Sequence, residues 1–272
     1  MTKSRCLVVI FDAANINPAL VMLRSLADNY TKHLDIVCAI PVELHTKWIE
    51  DKLQDVLAAS TLNPVVVSSR DVDYSIAALV EKAELYPKHI SSMALAKCWI
   101  PTYCTGYDEA VYVDTDCLFT RDATEFIEFQ LNGRALLATQ ELVIPDTGSY
   151  DTASRAYFNN GVFITDLSYW RDNDIEKTLA EWISSNDPGP CIEQTAMNAI
   201  FHDTWAAMTS RFNCFVDENP YLLVYKDSVV FHFLGPNKPW IPVEQPKKQL
   251  PSSEQFKHNL RNSWLTYYDL VT

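Results

Sequence analysis

The chain has 272 residues, of which 48% are hydrophobic and 21% charged, so a sizeable core is expected and global disorder is excluded. The net charge of −13 excludes nucleic acid as an expected partner, because affinity for nucleic acid depends on many Lys and Arg contacts with phosphates. Seven scattered cysteines without a Cys-x-x-Cys pair, and no signal-peptide layout or membrane-spanning apolar run, predict a reduced, cytoplasmic protein.

In the first half of the chain, apolar runs alternate with segments of helical periodicity. Apolar runs predict buried strands, and the periodic segments predict amphipathic helices. This alternation predicts an α/β fold with a mostly parallel sheet and helices on both faces, in which ligands bind beyond the carboxyl ends of the strands. The predicted strands are Cys6–Phe11, Leu34–Ile40, Pro64–Val67 and Ala110–Val113, and the predicted helices are Pro18 to about Asp28, Glu43–Ala59 (with Trp48, Leu53 and Val56 on one side) and Ser91–Tyr103.

The second half is less regular, but it shows no boundary between independent domains. We expect one domain over residues 1–241, followed by a C-terminal wrap and helix over residues 242–272 that packs on the core. The tail is also amphipathic and carries basic residues, so weak peripheral contact with a membrane surface stays open as an alternative, as does the oligomeric state. The predicted strands here are Arg134–Thr139, Gly161–Asp166 and Val229–Phe233, and the predicted helices are Asp174–Ser185, Glu193–Phe201 and Ser252–Leu270.

The most informative motif is Asp114-Thr115-Asp116, which follows the predicted strand Ala110–Val113. A buried strand that ends in two carboxylates brings negative charge to a sheet edge, and burying such a pair without a partner costs several kcal/mol. Two carboxylates suit Mg²⁺ or Mn²⁺, which proteins bind together with substrate phosphates. The alternative interpretation is a strand-end turn with solvated aspartates.

Two upstream segments are compatible with a nucleotide ligand. The turn Phe11–Asn15 follows the first strand, where α/β folds hold nucleotides, although most such turns bind nothing. Lys97 lies in a mostly apolar predicted helix, and taken alone it is better interpreted as a surface lysine than as a cation directed at phosphate.

Two downstream segments carry amides and a carboxylate. The Asn159-Asn160-Gly161 sequence introduces an apolar strand, and amide side chains suit sugar hydroxyls; the alternative is a turn with a glycine at positive φ. Glu193 and Gln194 begin a predicted helix, where an acid is also favoured by the helix dipole alone.

A third downstream segment places three kinds of ligand on one loop. His232 ends an apolar run and can complete a metal site, Gly235 lets backbone approach a phosphate, and Lys238 can neutralise a diphosphate. Each residue alone is compatible with a structural role. Together with the upstream carboxylates, they favour a site for a metal and a diphosphate.

Taken in order, these patterns resemble glycosyltransferase family 8, which includes glycogenin and the bacterial lipopolysaccharide α-galactosyltransferases. The similarity runs from about Cys6 to Trp240. It is carried by Val111–Leu118 (the metal motif), Phe158–Ile164 with Leu167–Arg171, Glu193-Gln194 with Asn198, and His232–Trp240.

The resemblance implies a GT-A fold, a Rossmann-like nucleotide-diphospho-sugar transferase architecture with a mixed, mostly parallel sheet. It implies a retaining hexosyltransferase that uses Mn²⁺ (or Mg²⁺) and a UDP-sugar donor. The transferred hexose would be glucose or galactose, and the acceptor would be a hydroxyl of a carbohydrate, glycolipid or protein.

The resemblance also assigns roles to the matching positions. The metal ligands would be Asp114, Asp116 and His232, and the diphosphate would contact Gly235 and Lys238. Lys97 would approach the phosphates or the sugar, and the sugar would be surrounded by Asn159, Asn160, Glu193 and Gln194. The nucleoside would face Phe11, Asp12, Ala13 and Asn15. Val113 and Thr115 would complete the donor site, and the candidates for catalysis would be Glu193, Gln194, Lys97 and Asn159.

The chain departs from the family pattern at two places. Glu193 stands where members usually have Asp, and the turn Phe11–Asn15 lacks a tyrosine that some members place against the base. Because an amide is a poor nucleophile, we favour front-face substitution over a covalent intermediate. Two other functions stay open: a non-catalytic module that binds nucleotide sugar or glycan, and, less favoured because the Asp-x-Asp motif is not in the first strand, a phosphohydrolase of the haloacid-dehalogenase type.

Overall fold

The structure, a computed structural model, describes residues 3–68, 92–141, 143–216, 226–242 and 252–272. The predicted linker Pro242–Pro251 lies outside these residues except for Pro242.

The larger sheet has seven strands in the order β3-β2-β1-β4-β7-β6-β8. All neighbouring strands in it are parallel except β7, which runs antiparallel to both β4 and β6. The mixed, mostly parallel sheet is therefore confirmed. Its strands are β1 (Arg5–Ile10), β2 (Leu34–Ile40), β3 (Leu62–Ser68), β4 (Glu109–Val113), β6 (Leu136–Gln140), β7 (Phe158–Asp166) and β8 (Trp205–Ala207).

A smaller sheet has three strands in the order β5-β10-β9. They are β5 (Cys117–Phe119), β9 (Cys214–Val216) and β10 (Val230–Phe233). Strands β5 and β10 are antiparallel, with Cys117 opposite His232. The sheet thus places the imidazole across from the residue that follows the Asp-x-Asp motif.

The predicted helices are present as α-helices, except for one segment that differs in type. The predicted helix Ser91–Tyr103 is a 3₁₀-helix over Ser92–Trp99 that continues as a short α-helix. Pro101 lacks the N–H that a continuous α-helix would need there. The α-helices are α1 (Ile16–Asn29), α2 (Lys47–Leu57), α3 (Ile100–Tyr103), α4 (Thr124–Ile127), α5 (Leu167–Asp172), α6 (Ile175–Ser185), α7 (Ile192–Phe201) and α8 (Ser252–Val271).

Helix α2 differs from its prediction in its start and in its buried face. It begins at Lys47 because the Thr46 hydroxyl accepts the N–H of Ile49 and caps the helix. The side chain of Trp48 is 55% exposed, whereas Leu53 and Val56 are buried, so the prediction that placed Trp48 on their side was wrong. The residue that shares their face is Ile49, four positions before Leu53.

Two hydrophobic cores lie on opposite faces of the larger sheet. Side chains alternate along β1: Leu7 and Val9 join one core, and Cys6, Val8 and Ile10 join the other. Helices α1, α2 and α8 cover the first face, and α5, α6 and α7 cover the second. The prediction of helices on both faces is confirmed.

Helix α8 packs its apolar side against the rest of the protein. Trp264 is fully buried, with its ring centroid 5.4 Å from those of Trp240 and Tyr268. Leu265 and Leu270 are exposed. None of the helices among the described residues combines the length and the apolar character needed to cross a bilayer.

The topology brings three chain segments to one edge of the larger sheet. The strand order reverses between β1 and β4, and in open α/β sheets ligands bind beyond the carboxyl ends of the strands at such a position. Because β7 is antiparallel to β4, its first residues lie at the same edge, with Val162 opposite Val113. The candidate functional residues fall at this edge.

Candidate active site

Asp114 follows β4 directly, and the structure fixes its backbone against β7. Its N–H donates to the carbonyl oxygen of Gly161 at 2.7 Å. Asn159 and Asn160, predicted to precede the strand that begins at Gly161, are part of β7 itself. The two motifs that lie far apart in the sequence are therefore neighbours in the sheet.

Gly161 is required for space rather than for backbone conformation. A Cβ at this position would lie 2.2 Å from Cε1 of His232 and 2.7 Å from Oδ2 of Asp114, distances that real Cβ atoms do not show. Gly161 is not among the residues with positive φ, so the alternative of a turn with a positive-φ glycine was wrong. Asp114 and His232 both flank the space above Gly161.

Asp116 and His232 converge on one position in the smaller sheet. Nε2 of His232 lies 3.1 Å from Oδ1 of Asp116, and both side chains are largely buried. The Cys117 thiol joins them, and one ligand atom from each of the three lies within 4.8 Å of the others. Asp114, predicted as a ligand, is not part of this group of three.

The Asp116–His232 contact has the character of two ligands that share an ion. Oδ1 of Asp116 is buried and, among the described residues, has no hydrogen-bond partner despite the nearby Nε2. Two ligand atoms at adjacent corners of an octahedral ion, each about 2.1 Å from it, stand roughly 3 Å apart. The carboxylate and the imidazole therefore fit a divalent cation.

The Cys117 thiol does not suit that cation. Burial, together with the charge of Asp116, raises the pKa of the Cys117 thiol well above the usual value when no cation is bound. Metal ligands must be deprotonated, and Mg²⁺ and Mn²⁺ prefer oxygen to sulfur. We therefore treat Cys117 as a neighbour of the cation site and not as a ligand.

Lys238 provides positive charge beside Asp116. Its ammonium group donates to Oδ2 of Asp116 at 2.5 Å and to the carbonyl oxygen of Phe233 at 2.7 Å. Burial opposes ionisation of Asp116, but the Lys238 ammonium group beside it outweighs burial and holds the pKa of that carboxyl well below its usual range. Asp116 is thus an ionised carboxylate at neutral pH.

Asp114 is held by a second cluster of charged groups. Its carboxylate accepts the Tyr112 hydroxyl at 2.6 Å and lies 3.1 Å from the Lys97 ammonium, which is 3.6 Å from Glu193. Burial lowers the pKa of Lys97, but the charges of Asp114 and Glu193 outweigh it and the pKa is raised. Lys97 is buried, so its interpretation as a surface lysine was wrong.

The amides of β7 tie helix α7 to this cluster. Nδ2 of Asn160 donates to Glu193 at 3.1 Å, and the Asn160 N–H donates to Oε1 of Gln194 at 3.1 Å. Asn198 has a structural role, because its side chain accepts the N–H of Phe158 at 2.7 Å and donates to the carbonyl oxygen of the same residue at 2.9 Å. The first turn of α7 is therefore bonded to the amides of β7, next to Lys97 and Asp114.

Asn213 and Glu141 belong to the site but were not predicted in it. Asn213 contacts both His232 and Asn159, each at 3.0 Å, and Asn159 donates to Glu141 at 2.8 Å. The sequence feature that points to Asn213 is its position as a lone polar residue between Phe212 and Cys214. A polar residue inside an apolar run is expected to be buried and hydrogen-bonded.

Some of the remaining predicted residues lie in a hydrophobic core, and the others are at least partly exposed. The side chains of Phe11 and Val113 lie in a hydrophobic core, so their contacts with a ligand are limited to backbone. Asp12 accepts the N–H groups of Ala14 and Asn15 and caps a 3₁₀ turn that leaves Ala13 exposed. Two further residues are only partly buried, Thr115 and Gly235, the latter at φ +69°.

Comparison with known proteins identifies relatives of this chain. The model of glycosyl transferase family 8 matches residues 6–242. A probable glycosyl transferase Gly of Streptococcus gordonii is 30% identical over 140 residues, which are 49% of this chain and 20% of that protein. Glycosyltransferase GlyB of Streptococcus pneumoniae serotype 4 is 26% identical over 193 residues, which are 71% of this chain and 42% of that protein. The chain spans less than half the length of these relatives.

A solved structure extends the comparison to the fold. The galactosyltransferase LgtC, solved with donor and acceptor sugar analogues, matches with a TM-score of 0.68 at 19% identity, covering 94% of this chain and 95% of that one. The central sheet and its helices therefore form the predicted GT-A fold. Because the family model covers most of the chain as well, the protein belongs to glycosyl transferase family 8.

Proposed function

We propose that the protein is a retaining, divalent-metal-dependent hexosyltransferase that uses a UDP-sugar donor. The observation that carries the proposal is the convergence of Asp116 and His232 at 3.1 Å, with a buried carboxylate oxygen that lacks a hydrogen-bond partner among the described residues. This pair lies at the carboxyl edge of the sheet, where nucleotide ligands bind in such folds.

Asp116 and His232 would hold the cation directly, and Asp114 would join them from the other side of Gly161. When bound, Mn²⁺ (or Mg²⁺) stabilises the charge that develops on the leaving diphosphate. The charge balance supports this assignment, since three carboxylates, Asp114, Asp116 and Glu193, face two ammonium groups, Lys97 and Lys238. A divalent cation would offset the excess negative charge.

Lys238 and Gly235 would bind the diphosphate. Lys238 already lies 2.5 Å from Oδ2 of Asp116, so its ammonium group can contact a phosphate that shares the cation with that carboxylate. Gly235, at φ +69°, allows backbone to turn closely around the phosphate. The overall charge of −13 does not oppose an anionic donor, because these local cations decide its binding.

Lys97, Asn159, Asn160, Glu193 and Gln194 would surround the sugar. Glu193 is buried and already contacts Asn160 and Lys97, and Oε1 of Gln194 accepts a backbone N–H. A carboxylate held by a cation and an amide is a weakened nucleophile. We therefore favour front-face substitution, in which the leaving phosphate oxygen takes the proton of the acceptor hydroxyl.

The nature of donor and acceptor is the finer part of the proposal. The Phe11–Asn15 turn lies at the edge where the strand order reverses, which suits the uridine. Transfer of a hexose, glucose or galactose, to a carbohydrate, glycolipid or protein hydroxyl is consistent with the galactosyltransferase LgtC. Residence in the cytoplasm, which the cysteine pattern predicts, and contact of helix α8 with membrane remain predictions.

The proposal is tested by UDP release from UDP-glucose and UDP-galactose, with and without Mn²⁺. We expect release that requires Mn²⁺ and that falls by roughly 10²–10³-fold in the Asp116→Asn variant, the usual cost of removing one preorganised electrostatic group. The matched control is Asp51→Asn, an exposed aspartate paired with Lys47, which should leave release unchanged.

The same experiment separates the enzyme from a non-catalytic module. If UDP-sugar with Mn²⁺ raises the melting temperature but no UDP is released with or without a panel of acceptor glycans, the chain binds donor without transferring sugar. Release of inorganic phosphate from a phosphate monoester such as glucose 1-phosphate, with no UDP released from the UDP-sugars, would instead favour a phosphohydrolase.

A further inference from the structure

A line of buried side chains connects His232 to the backbone of β7. Nδ1 of His232 lies 3.0 Å from Oδ1 of Asn213, and Nδ2 of Asn213 lies 3.0 Å from Oδ1 of Asn159. The N–H of Gly161 also donates to Oδ1 of Asn159, at 2.9 Å. Asn213 is fully buried, and Asn159 and His232 are no more than 5% exposed.

The backbone of Gly161 fixes the direction of every hydrogen bond in this line. A backbone N–H can only donate, so the Asn159 atom that it contacts is the amide oxygen. An amide oxygen can only accept, so the Asn213 atom that faces it is the amide nitrogen. The other amide atom of Asn213, its oxygen, then faces His232, and the imidazole must donate from Nδ1.

The far end of the line gives an independent check of this direction. With Oδ1 of Asn159 facing Gly161 and Asn213, its Nδ2 faces the Glu141 carboxylate at 2.8 Å. A carboxylate accepts hydrogen bonds and an amide nitrogen donates them, so this contact agrees with the same assignment. The opposite orientation of Asn159 would place two acceptors against each other at Glu141 and two donors against each other at Gly161.

We propose that Asn213 is a positioning residue that holds His232 in the tautomer with its proton on Nδ1, leaving the lone pair of Nε2 free to bind a divalent cation shared with Asp116. The assignment of the cation rests on the function proposed above; the assignment of the tautomer does not. A neutral imidazole protonated at Nδ1 has no proton on Nε2, so Nε2 presents its lone pair towards Oδ1 of Asp116, 3.1 Å away, and a cation between these two atoms would bind both.

The consequence for the site is that the imidazole is oriented before a ligand arrives. A metal-binding histidine needs a partner on its other nitrogen to fix the tautomer and the ring plane, and loss of such a partner typically lowers metal affinity by about 10–100-fold. Here that partner is a neutral amide anchored through Asn159 to a strand of the larger sheet. The line therefore couples the smaller sheet, which carries His232, to the strand that flanks Asp114.

The tautomer is tested directly by two-dimensional ¹⁵N–¹H NMR of the metal-free full chain at pH 8, with ¹⁵N-labelled histidine. The chain has six histidines, so the His232 signals are assigned by their loss in the His232→Gln variant. We expect a protonated Nδ1 and an unprotonated Nε2. A proton on Nε2, alone or together with one on Nδ1, would overturn the proposal.

Variants at Asn213 test its effect on the cation, with Mn²⁺ alone as the probe and free Mn²⁺ measured by EPR. Asn213→Ala should weaken Mn²⁺ binding by about 10–100-fold and give a mixture of tautomers. Asn213→Asp retains an acceptor for Nδ1 and should keep the tautomer. The control is Asn63→Ala, which removes a surface amide bonded to Asp35.

Each outcome separates this inference from the proposed function. A folded Asn213→Ala variant with the wild-type tautomer and the wild-type Mn²⁺ affinity would refute the positioning role, whatever the activity. If the expected tautomer and Mn²⁺ effects are found while no UDP-sugar is consumed, the positioning role stands and the hexosyltransferase proposal fails. Should Asn213→Ala not fold, the wild-type spectrum still decides the tautomer.

Discussion

At position 161 there is no room for a side chain between Asp114 and His232, so the residue is glycine. We predict that Gly161→Ala lowers Mn²⁺-dependent turnover by about 100-fold, the upper end of the range for disturbing groups that orient metal ligands. The physical reason is the added Cβ, which would lie 2.2 Å from the imidazole and 2.7 Å from the carboxylate. Turnover and Mn²⁺ affinity are measured on the same protein sample.

The control for this prediction is Gly106→Ala. Gly106 has φ +92° with nothing within 4 Å of an added Cβ, so its substitution strains the backbone without a clash. It should cost about 1–2 kcal/mol of unfolding free energy and leave turnover per folded molecule unchanged. Full activity of Gly161→Ala would contradict the tight packing on which the proposed cation site depends.

Cys117 offers a second test at the residue scale. We predict that Cys117→Ala changes Mn²⁺-dependent turnover by less than about 3-fold, because oxygen and nitrogen ligands suit this cation better than sulfur. Steady-state kinetics across Mn²⁺ concentrations measures the effect. A loss as large as that of Asp116→Asn would show instead that the sulfur is a ligand.

The sequence predicted the charged members of the site better than the groups that orient them. Asp116 and His232 were predicted as site residues because the first follows a predicted strand within three residues and the second lies near the end of another. Asn213 and Tyr112, which contact His232 and Asp114, were not found, because a single polar group within a strand or beside one shows no periodicity. Their partners are set by packing between strands distant in the sequence.

At the scale of elements, the packing of helix α8 on the core depends on one tryptophan, Trp264. We predict that Trp264→Ala lowers the unfolding free energy by about 3–5 kcal/mol, because it empties a fully buried position between Trp240 and Tyr268. Denaturant unfolding followed by circular dichroism measures the change. The control Leu270→Ala, at a position 60% exposed on the same helix, should stay within about 0.5 kcal/mol.

A conservative variant separates the packing of Trp264 from its polar atom. The indole N–H is buried and has no partner among the described residues, so Trp264→Phe removes an unsatisfied donor as well as volume. Its cost should therefore be well below that of Trp264→Ala. Equal costs for Trp264→Ala and Leu270→Ala would show that α8 does not pack on the core in solution.

Strands were predicted from the sequence where their apolar pattern is long, and they were missed where that pattern is short. The strand Leu34–Ile40 was predicted to the residue because every position in it except Asp35 is buried. Strands β5, β8 and β9 have three residues each, too few for a period, and none was predicted. The reversed direction of β7 also escaped prediction, because direction is set by connections and not by apolar pattern.

For the whole molecule, strand order and site location are linked. The alternation of strands and helices was enough to predict a mostly parallel sheet, and the Asp-x-Asp motif follows the fourth strand, as predicted. The antiparallel strand β7 then brings Asn160 and Gly161 to that edge, where helix α7 contributes Glu193 and Gln194. No single segment holds the site, so it forms only when the fold is complete.

The most direct test of a cation shared by Asp116 and His232 is pulsed EPR of the Mn²⁺-loaded protein. A coordinated imidazole nitrogen modulates the electron spin echo of Mn²⁺. We predict ¹⁴N modulation in the wild-type protein, with loss of that modulation in His232→Gln and weaker Mn²⁺ binding in Asp116→Asn. Wild-type protein that binds Mn²⁺ without ¹⁴N modulation, or a His232→Gln variant with an unchanged spectrum, would contradict the account.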